Sequence, residues 1–257
     1  MSRTPKRDDP RNVILVGATS GIARPLGRRL VARGWNLVVT GRDAARLAPL
    51  ADDLRVRGSG TVAALVFDPS DGAAVAGLFG AAAALLGAPP DGIIVCHGTL
   101  PDESGALLDV GQTRDAIDAG FTSAAMVLAA AARALEDRPG AFLAAISSVA
   151  GDRGRQSNYT YGAAKAGLTA YLSGLRNRLH PRGVAVITVK PGIVRTAMTE
   201  GLAAARSPLA ADADTVARDI ERAIIGRRDV VYTPWFWWPV MTVIGAIPEA
   251  IFKRLKL

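Results

Sequence analysis

A tyrosine and a lysine four residues apart, Tyr161 and Lys165, carry the strongest chemical suggestion in this sequence of 257 residues. At that spacing two side chains share one helical face. An ammonium beside a phenol lowers the phenol's pKa, and a cationic ring bound nearby adds to the effect. A phenol tuned in this way can give a proton to a carbonyl oxygen as hydride reaches the carbon. A serine hydroxyl close to the same oxygen would hold it by a hydrogen bond, and Ser148 stands thirteen residues ahead of Tyr161. The tyrosine–lysine pair alone is common by chance and describes an exposed helical pair equally well. Ser148, Tyr161 and Lys165 followed by Pro191-Gly192 form a far more specific string. Ser147 is the substitute if the register is off by one, and Tyr159 would point elsewhere on a helix.

Such chemistry needs a hydride carrier, and the N-terminal third offers a place for one. Asn12–Val16 reads as a buried strand, followed by the turn Gly17-Ala18-Thr19-Ser20-Gly21-Ile22 and a helix from about Ile22 to Arg33. Small residues in such a turn let the backbone approach a pyrophosphate, whose charge rests against the free N–H groups of the helix. Gly17, Thr19, Ser20, Gly21 and Ile22 are the candidates for that contact. The second strand, Asn36–Thr40, ends at Gly41 and Arg42. An acidic tip would bind the adenosine ribose and repel a 2′-phosphate, whereas a guanidinium pairs with that phosphate. NADP(H) is therefore expected over NAD(H), the alternative being that Arg42 merely begins a solvated helix. His97 follows the fourth strand and invites an acid–base role, but a lone histidine beside a nucleotide site is more often structural.

The elements that must position these residues follow from hydrophobic patterning. Strands are expected at Asn12–Val16, Asn36–Thr40, Thr61–Phe67, Gly92–Cys96, Ala141–Ser147 and Val184–Lys190, with helical stretches such as Ala44–Arg57 between them. Each strand is short and apolar at nearly every position, as in a parallel sheet covered on both faces. The alternation predicts a Rossmann-type, doubly wound α/β sheet with right-handed crossovers. Residues 1–10 read as a flexible N-terminus without an apolar signal, and 11–257 as one domain ending in an aromatic and basic tail, 235–257. Hydrophobic residues make up 49% of the chain, enough for a sizeable core. The formal charge of +8 suits anionic partners such as nucleotide phosphates. Aromatic residues are not interleaved with basic ones, so no nucleic acid partner is expected. The single cysteine, Cys96, excludes an intrachain disulfide and suggests a reducing compartment. No metal site is expected. The apolar stretch from Trp235 to Phe252 is broken by Pro239, Pro248 and Glu249, which argues against a membrane span.

Together these segments resemble the short-chain dehydrogenase/reductase family over nearly the whole chain. Val16 to Ala23 is similar to its Thr-Gly-x-x-x-Gly-x-Gly turn, with Val16 for the threonine and Ala23 for the last glycine. In Val95-Cys96-His97-Gly98 only Gly98 remains of the family's Asn-Asn-Ala-Gly. The resemblance implies an NAD(P)-dependent oxidoreductase acting on a carbonyl or secondary alcohol. Ser148 would orient the substrate, Tyr161 would be the acid–base, and Lys165 would bind the ribose and lower the tyrosine pKa. It also implies cofactor contacts at Gly98, Pro191, Gly192, Val194 and Thr196, the last near the nicotinamide carboxamide. Asp68 would meet the adenine amine, or else cap the turn at Pro69. A homo-oligomer is expected on the same ground. One departure stands out: Gly120, in Ala119-Gly120-Phe121-Thr122-Ser123, occupies the place of the family's catalytic asparagine. Thr122 or Ser123 substitutes for it, or water fills the gap, or the proton relay is weakened.

Two segments bear on the substrate. Asp152 to Asn158 contains Arg153 and Arg155, which suit a phosphate or a polyhydroxylated ligand, unless Asp152 pairs with one of them. The tail carries Trp235, Trp237 and Trp238 ahead of Lys253, Arg254 and Lys256. That composition fits a membrane interface, or a segment packed over the pocket or a subunit contact. The Gly151-Asp152-Arg153 loop, the Tyr161-Gly162-x-x-Lys165-Ala166-Gly167 segment, the Val194-Arg195-Thr196-x-Met198 stretch and the Ile247-Pro248-x-x-Ile251-Phe252-Lys253-x-Leu255 ending together resemble the family's decaprenylphosphoryl-2-keto-β-D-erythro-pentose reductase subgroup. That implies a 2-keto sugar on a polyprenyl phosphate, handled by a cytoplasmic protein touching the inner face of the membrane through 235–257. The alternatives are a reductase of a soluble ketone or 3-oxoacyl group, and a nucleotide-binding scaffold that no longer turns over.

Overall fold

A computed structural model describes residues 11–255; the segment 1–10, expected to be flexible, and the last two residues lie outside the described residues. Seven parallel strands form the sheet, in the order β3-β2-β1-β4-β5-β6-β9. They are β1 (Asn12–Val16), β2 (Asn36–Gly41), β3 (Val62–Val66), β4 (Gly92–Val95), β5 (Phe142–Ile146), β6 (Ala185–Pro191) and β9 (Val230–Thr233). A small parallel pair, β7 (Val194–Arg195) and β8 (Ala211–Asp212), lies apart from it. This is the single Rossmann-type domain that the alternation predicts, with six strands found within a residue or two of expectation. The seventh, β9, was not anticipated: its four residues run straight into Pro234 and the aromatic tail, so it offers little periodicity of its own.

The central strands are buried on every position, for example Gly92–Val95 and Phe142–Ile146. The expectation of full burial fails at β3, where Ala64 and Val66 are exposed. It is the outermost strand, so one side of it lacks a neighbour. On one face the helices α1 (Ala23–Ala32), α2 (Ala44–Arg55) and α8 (Ala213–Ile225) bury Leu26, Leu30, Leu47, Leu54, Val216 and Ile220. On the other, α3 (Gly72–Leu86), α6 (Ser123–Leu135) and α7 (Tyr159–Leu179) bury Leu78, Val127, Leu128, Leu168 and Leu172.

Two short helices, α4 (Glu103–Leu108) and α5 (Val110–Ile117), lead through a π-turn at Asp118–Thr122 into α6. The run Val110–Leu135 is long and apolar enough to cross a membrane by composition. Its α6 half, however, packs Val127, Leu128, Ala131 and Leu135 into the core. The tail forms α9 (Trp237–Ala246) and α10 (Glu249–Phe252). Trp237 and Met241 pack on Val149 in a separate apolar cluster, which ties the tail to the loop after Ser148. Strand order reverses between β1 and β4, and in such sheets the crevice at the carboxyl ends of those strands receives the ligand.

Candidate active site

That crevice is a cavity of about 450 Å³. Its lining includes Gly17, Thr19, Ser20, Gly21 and Ile22 from the first turn, and Ser148, Tyr161 and Lys165 at the other end. Gly98, Pro191, Gly192, Val194 and Thr196 line it as well, so most residues singled out in the sequence meet in one place. The turn is shaped by two close approaches. Gly17 has φ +72°, and a Cβ there would lie 2.8 Å from the His97 nitrogen. A Cβ on Gly21 would lie 2.6 Å from Thr196 Cγ2. Only glycine leaves the backbone open at these points, which is what close approach of a pyrophosphate demands. Thr40, a cavity-lining residue, carries a buried hydroxyl without a partner among the described residues. A polar ligand with ribose hydroxyls fits this lining.

Arg42 lines the cavity beside Thr40 and Gly41, joined by Arg46, one turn into α2, which sequence reading missed. Asp43 is not free to bind a ribose, because its carboxylate accepts from the N–H groups of Ala45 at 2.9 Å and Arg46 at 3.2 Å. Asp68 is exposed and accepts from Ser70 N at 2.9 Å, which is the turn-capping alternative. Its neighbours Phe67, Pro69 and Ser70 line the cavity, and Asp68 does not.

At the reacting end Ser148 and Tyr161 line the cavity together, and the Ser148 hydroxyl accepts from Ala150 N at 3.1 Å. Ser147, the alternative in register, points away: its hydroxyl donates to the Lys165 carbonyl at 2.9 Å and bonds Thr169 at 2.7 Å. Tyr159 is exposed at the start of α7. Lys165 is buried, and its ammonium donates to Ile146 O at 3.0 Å. Burial pulls its pKa down to about 8. The Tyr161 phenol is not lowered as expected but raised, because burial outweighs the effect of the Ser148 hydroxyl. The lysine ammonium lies 5.8 Å from the tyrosine ring centroid. Glu103 of α4 fixes the start of α7 from a distance, its carboxylate accepting from Thr160 N at 2.8 Å and Tyr161 N at 3.3 Å. An anion there suits the positive end of the helix. No local spacing in the sequence announces a cap 57 residues away from its helix.

Gly120 sits buried in the π-turn, where a Cβ would lie 2.9 Å from Ala164 Cβ, next to Lys165. Helix α7 therefore approaches too closely for any side chain. Of the two proposed substitutes, Ser123 lines the main cavity and bonds His97 Nε2 at 3.0 Å, whereas Thr122 faces an adjoining groove. Burial holds His97 neutral, with its pKa near 4. Cys96 is buried and its thiol is pushed up to about 12.

The arginine loop is organised differently from expectation. Asp152 pairs with Lys190 at 2.5 Å, not with an arginine, and also accepts from the Tyr232 hydroxyl at 2.9 Å. Arg153 binds Glu249 of the tail at 2.6 Å and lies 4.2 Å from the Phe252 ring centroid. Arg155 is half-buried, with no partner for its Nε.

A family model described as short chain dehydrogenase matches residues 11–207. An uncharacterised oxidoreductase of Mycobacterium tuberculosis is 34% identical over 243 residues, covering 95% of this chain and 96% of the relative. A serine 3-dehydrogenase of Agrobacterium fabrum is 32% identical over 197 residues, 73% of each protein. Among solved structures, a short chain dehydrogenase from Burkholderia cenocepacia in complex with NADP matches with a TM-score of 0.78 at 23% identity. The match covers 90% of this chain and 97% of that one, a likeness of fold.

Proposed function

This chain belongs to the short-chain dehydrogenase/reductase family, an oxidoreductase family, and from that premise we propose that it reduces a carbonyl using NADPH. The observation that carries the reading is the convergence of Ser148, Tyr161 and buried Lys165 at one end of a cavity that begins in the glycine turn. The bound cofactor supplies hydride from its nicotinamide. Ser148 and Tyr161 hold the carbonyl oxygen between two hydroxyls, and Tyr161 gives it a proton as the carbon is reduced. A phenol whose pKa is raised keeps its proton at neutral pH, which suits reduction. Lys165 binds the nicotinamide ribose, and its charge favours the phenolate left on Tyr161. Gly17, Thr19, Ser20, Gly21 and Ile22 hold the pyrophosphate against α1. Gly98, Pro191, Gly192, Val194 and Thr196 flank the nicotinamide half.

The preference for NADPH rests on two arginines, Arg42 and Arg46, at the adenosine end and on the commitment of Asp43 to its helix. Fluorescence titration with NADPH and NADH, on wild type, Arg42→Ala and Arg46→Ala, tests it. NADPH is expected to bind more tightly, and each substitution to weaken it roughly tenfold while leaving NADH unchanged. Binding of neither cofactor would end the reductase reading.

For the substrate, we infer a 2-keto sugar carried on a polyprenyl phosphate. The tail beside the site supports it, exposing Trp235 (77%) and Trp238 (61%), with Lys253 and Arg254 exposed in the same segment. A soluble carbonyl compound is the second reading. It draws on Arg153, whose guanidinium is held by the tail and is not open to a phosphate.

A further inference from the structure

His97 has no counterpart in the family's Asn-Asn-Ala-Gly stretch, yet it stands between the glycine turn and the reacting end. Its backbone lies close against Gly17. Nε2 lies 3.0 Å from Ser123 Oγ, and that hydroxyl donates to Ala119 O at 3.4 Å, one turn back. With its own proton directed at Ala119, Ser123 Oγ receives a hydrogen bond from Nε2–H. Nδ1 is then left as a bare lone pair. It is buried and has no partner among the described residues. A buried acceptor left unmet is costly, so such an atom calls for a donor.

The cation that acts most on the ring is Lys165. A Cβ on Gly98, the residue after His97, would lie 3.2 Å from Lys165 Nζ. An ammonium has three donors, and Lys165 directs one to Ile146 O. Gly120 cannot offer a side chain to the others, since Ala164 fills the space where its Cβ would stand.

We propose that His97, braced by Ser123, is a positioning residue for Lys165, its Nδ1 accepting a hydrogen bond from a water held by the lysine ammonium. No proton moves onto the histidine: it stays neutral and serves as a fixed acceptor. The inference rests on the reductase reading for its purpose, and on the geometry of His97, Ser123 and Lys165 for its existence. The other charges that act on the ring are Arg42, at the adenosine end of the cavity, and Asp68, which is exposed outside its lining.

The chain has five lysines, so the side-chain carbon resonances of Lys165 can be assigned and titrated by NMR in the free protein. Removing the acceptor in His97→Ala destabilises the ammonium, and its titration midpoint is expected to fall by about one pH unit. His97→Asn places an amide oxygen close to the Nδ1 position and is expected to restore the midpoint. His97→Gln reaches Ser123 but offers no acceptor at Nδ1, and is expected to behave as His97→Ala. In turnover, the alkaline limb of kcat should move down with the midpoint, and kcat at pH 7.5 should drop about threefold in the alanine variant. Circular dichroism and cofactor titration report whether each variant is folded. An unchanged Lys165 midpoint in folded His97→Ala overturns the proposal, as does equal loss in the alanine and asparagine variants. Because the titration needs neither cofactor nor substrate, a chain that fails to bind NADPH sinks the reductase reading and leaves this result standing.

Discussion

In the proposed reduction the Tyr161 phenol enters protonated. Burial raises its pKa, and the Ser148 hydroxyl opposes that only in part. Removing the hydroxyl in Tyr161→Phe should lower kcat by about a thousandfold, the range expected of a general acid. NADPH affinity, measured by fluorescence, should stay close to wild type. Lys165 makes a separate claim on stability. Its folded pKa of about 8 lies below the ordinary value of 10.5, so the buried ammonium costs stability at neutral pH. As pH rises above 8 the folded protein sheds that proton while the unfolded chain keeps it, so stability rises until Cys96, and after it Tyr161, begins to ionise in the unfolded chain from about pH 9. Urea unfolding of the free protein between pH 7.5 and 8.7 should show this gain, and Lys165→Met should remove it. Ser148, Tyr161 and Lys165 were legible as a string because their spacing belongs to one strand end and one helix. The sign of the tyrosine shift was not, because burial depends on what packs around the ring.

At the scale of elements, the loop after Ser148 is clamped from beneath. Asp152 receives Lys190 from β6 and Tyr232 from β9, with the lysine and aspartate side chains largely hidden from solvent. Deleting one partner of such a pair leaves a charge without compensation. Lys190→Met should therefore cost about 3 kcal/mol in urea unfolding, and adding Asp152→Asn should recover part of it. Glu103 plays a comparable part for α7, reaching across from α4 to its first N–H groups. Neither device was readable beforehand. Strand β9 was not anticipated, and a separation of 38 positions between Asp152 and Lys190 gives no local sign of a partnership. The glycine turn and Asp43 capping α2 were of the opposite kind, since a turn and a cap are chemical facts of neighbouring residues.

The whole molecule places an apolar, tryptophan-bearing face beside its own active site. Trp237 turns inward, so close to Gly192 that a Cβ there would lie 1.9 Å from the indole nitrogen. Trp235, Trp238 and Val243 (67% exposed) turn outward, with Lys253 and Arg254 close in sequence. Exposed aromatic residues with neighbouring cations suit an anionic lipid surface. Co-sedimentation with phosphatidylglycerol vesicles should capture the full chain, and Trp235→Ser with Trp238→Ser should weaken capture tenfold or more. Both tryptophans are exposed, so their replacement leaves the fold in place. Failure of the wild-type chain to bind vesicles would favour the soluble substrate.

By itself the sequence determined the alternating strands and helices, the glycine turn, the lack of an acidic residue at the β2 tip and the Ser148–Tyr161–Lys165 string. All of these are set by periodicity and by spacing within one or two elements. Tertiary structure alone decided which arginines face the cavity, what Asp152 pairs with, why position 120 must be glycine, and that His97 turns its ring towards Ser123. Each of those depends on side chains brought together from distant parts of the chain, where the free energy of burial and of unmet hydrogen bonds is set by neighbours that no local pattern encodes.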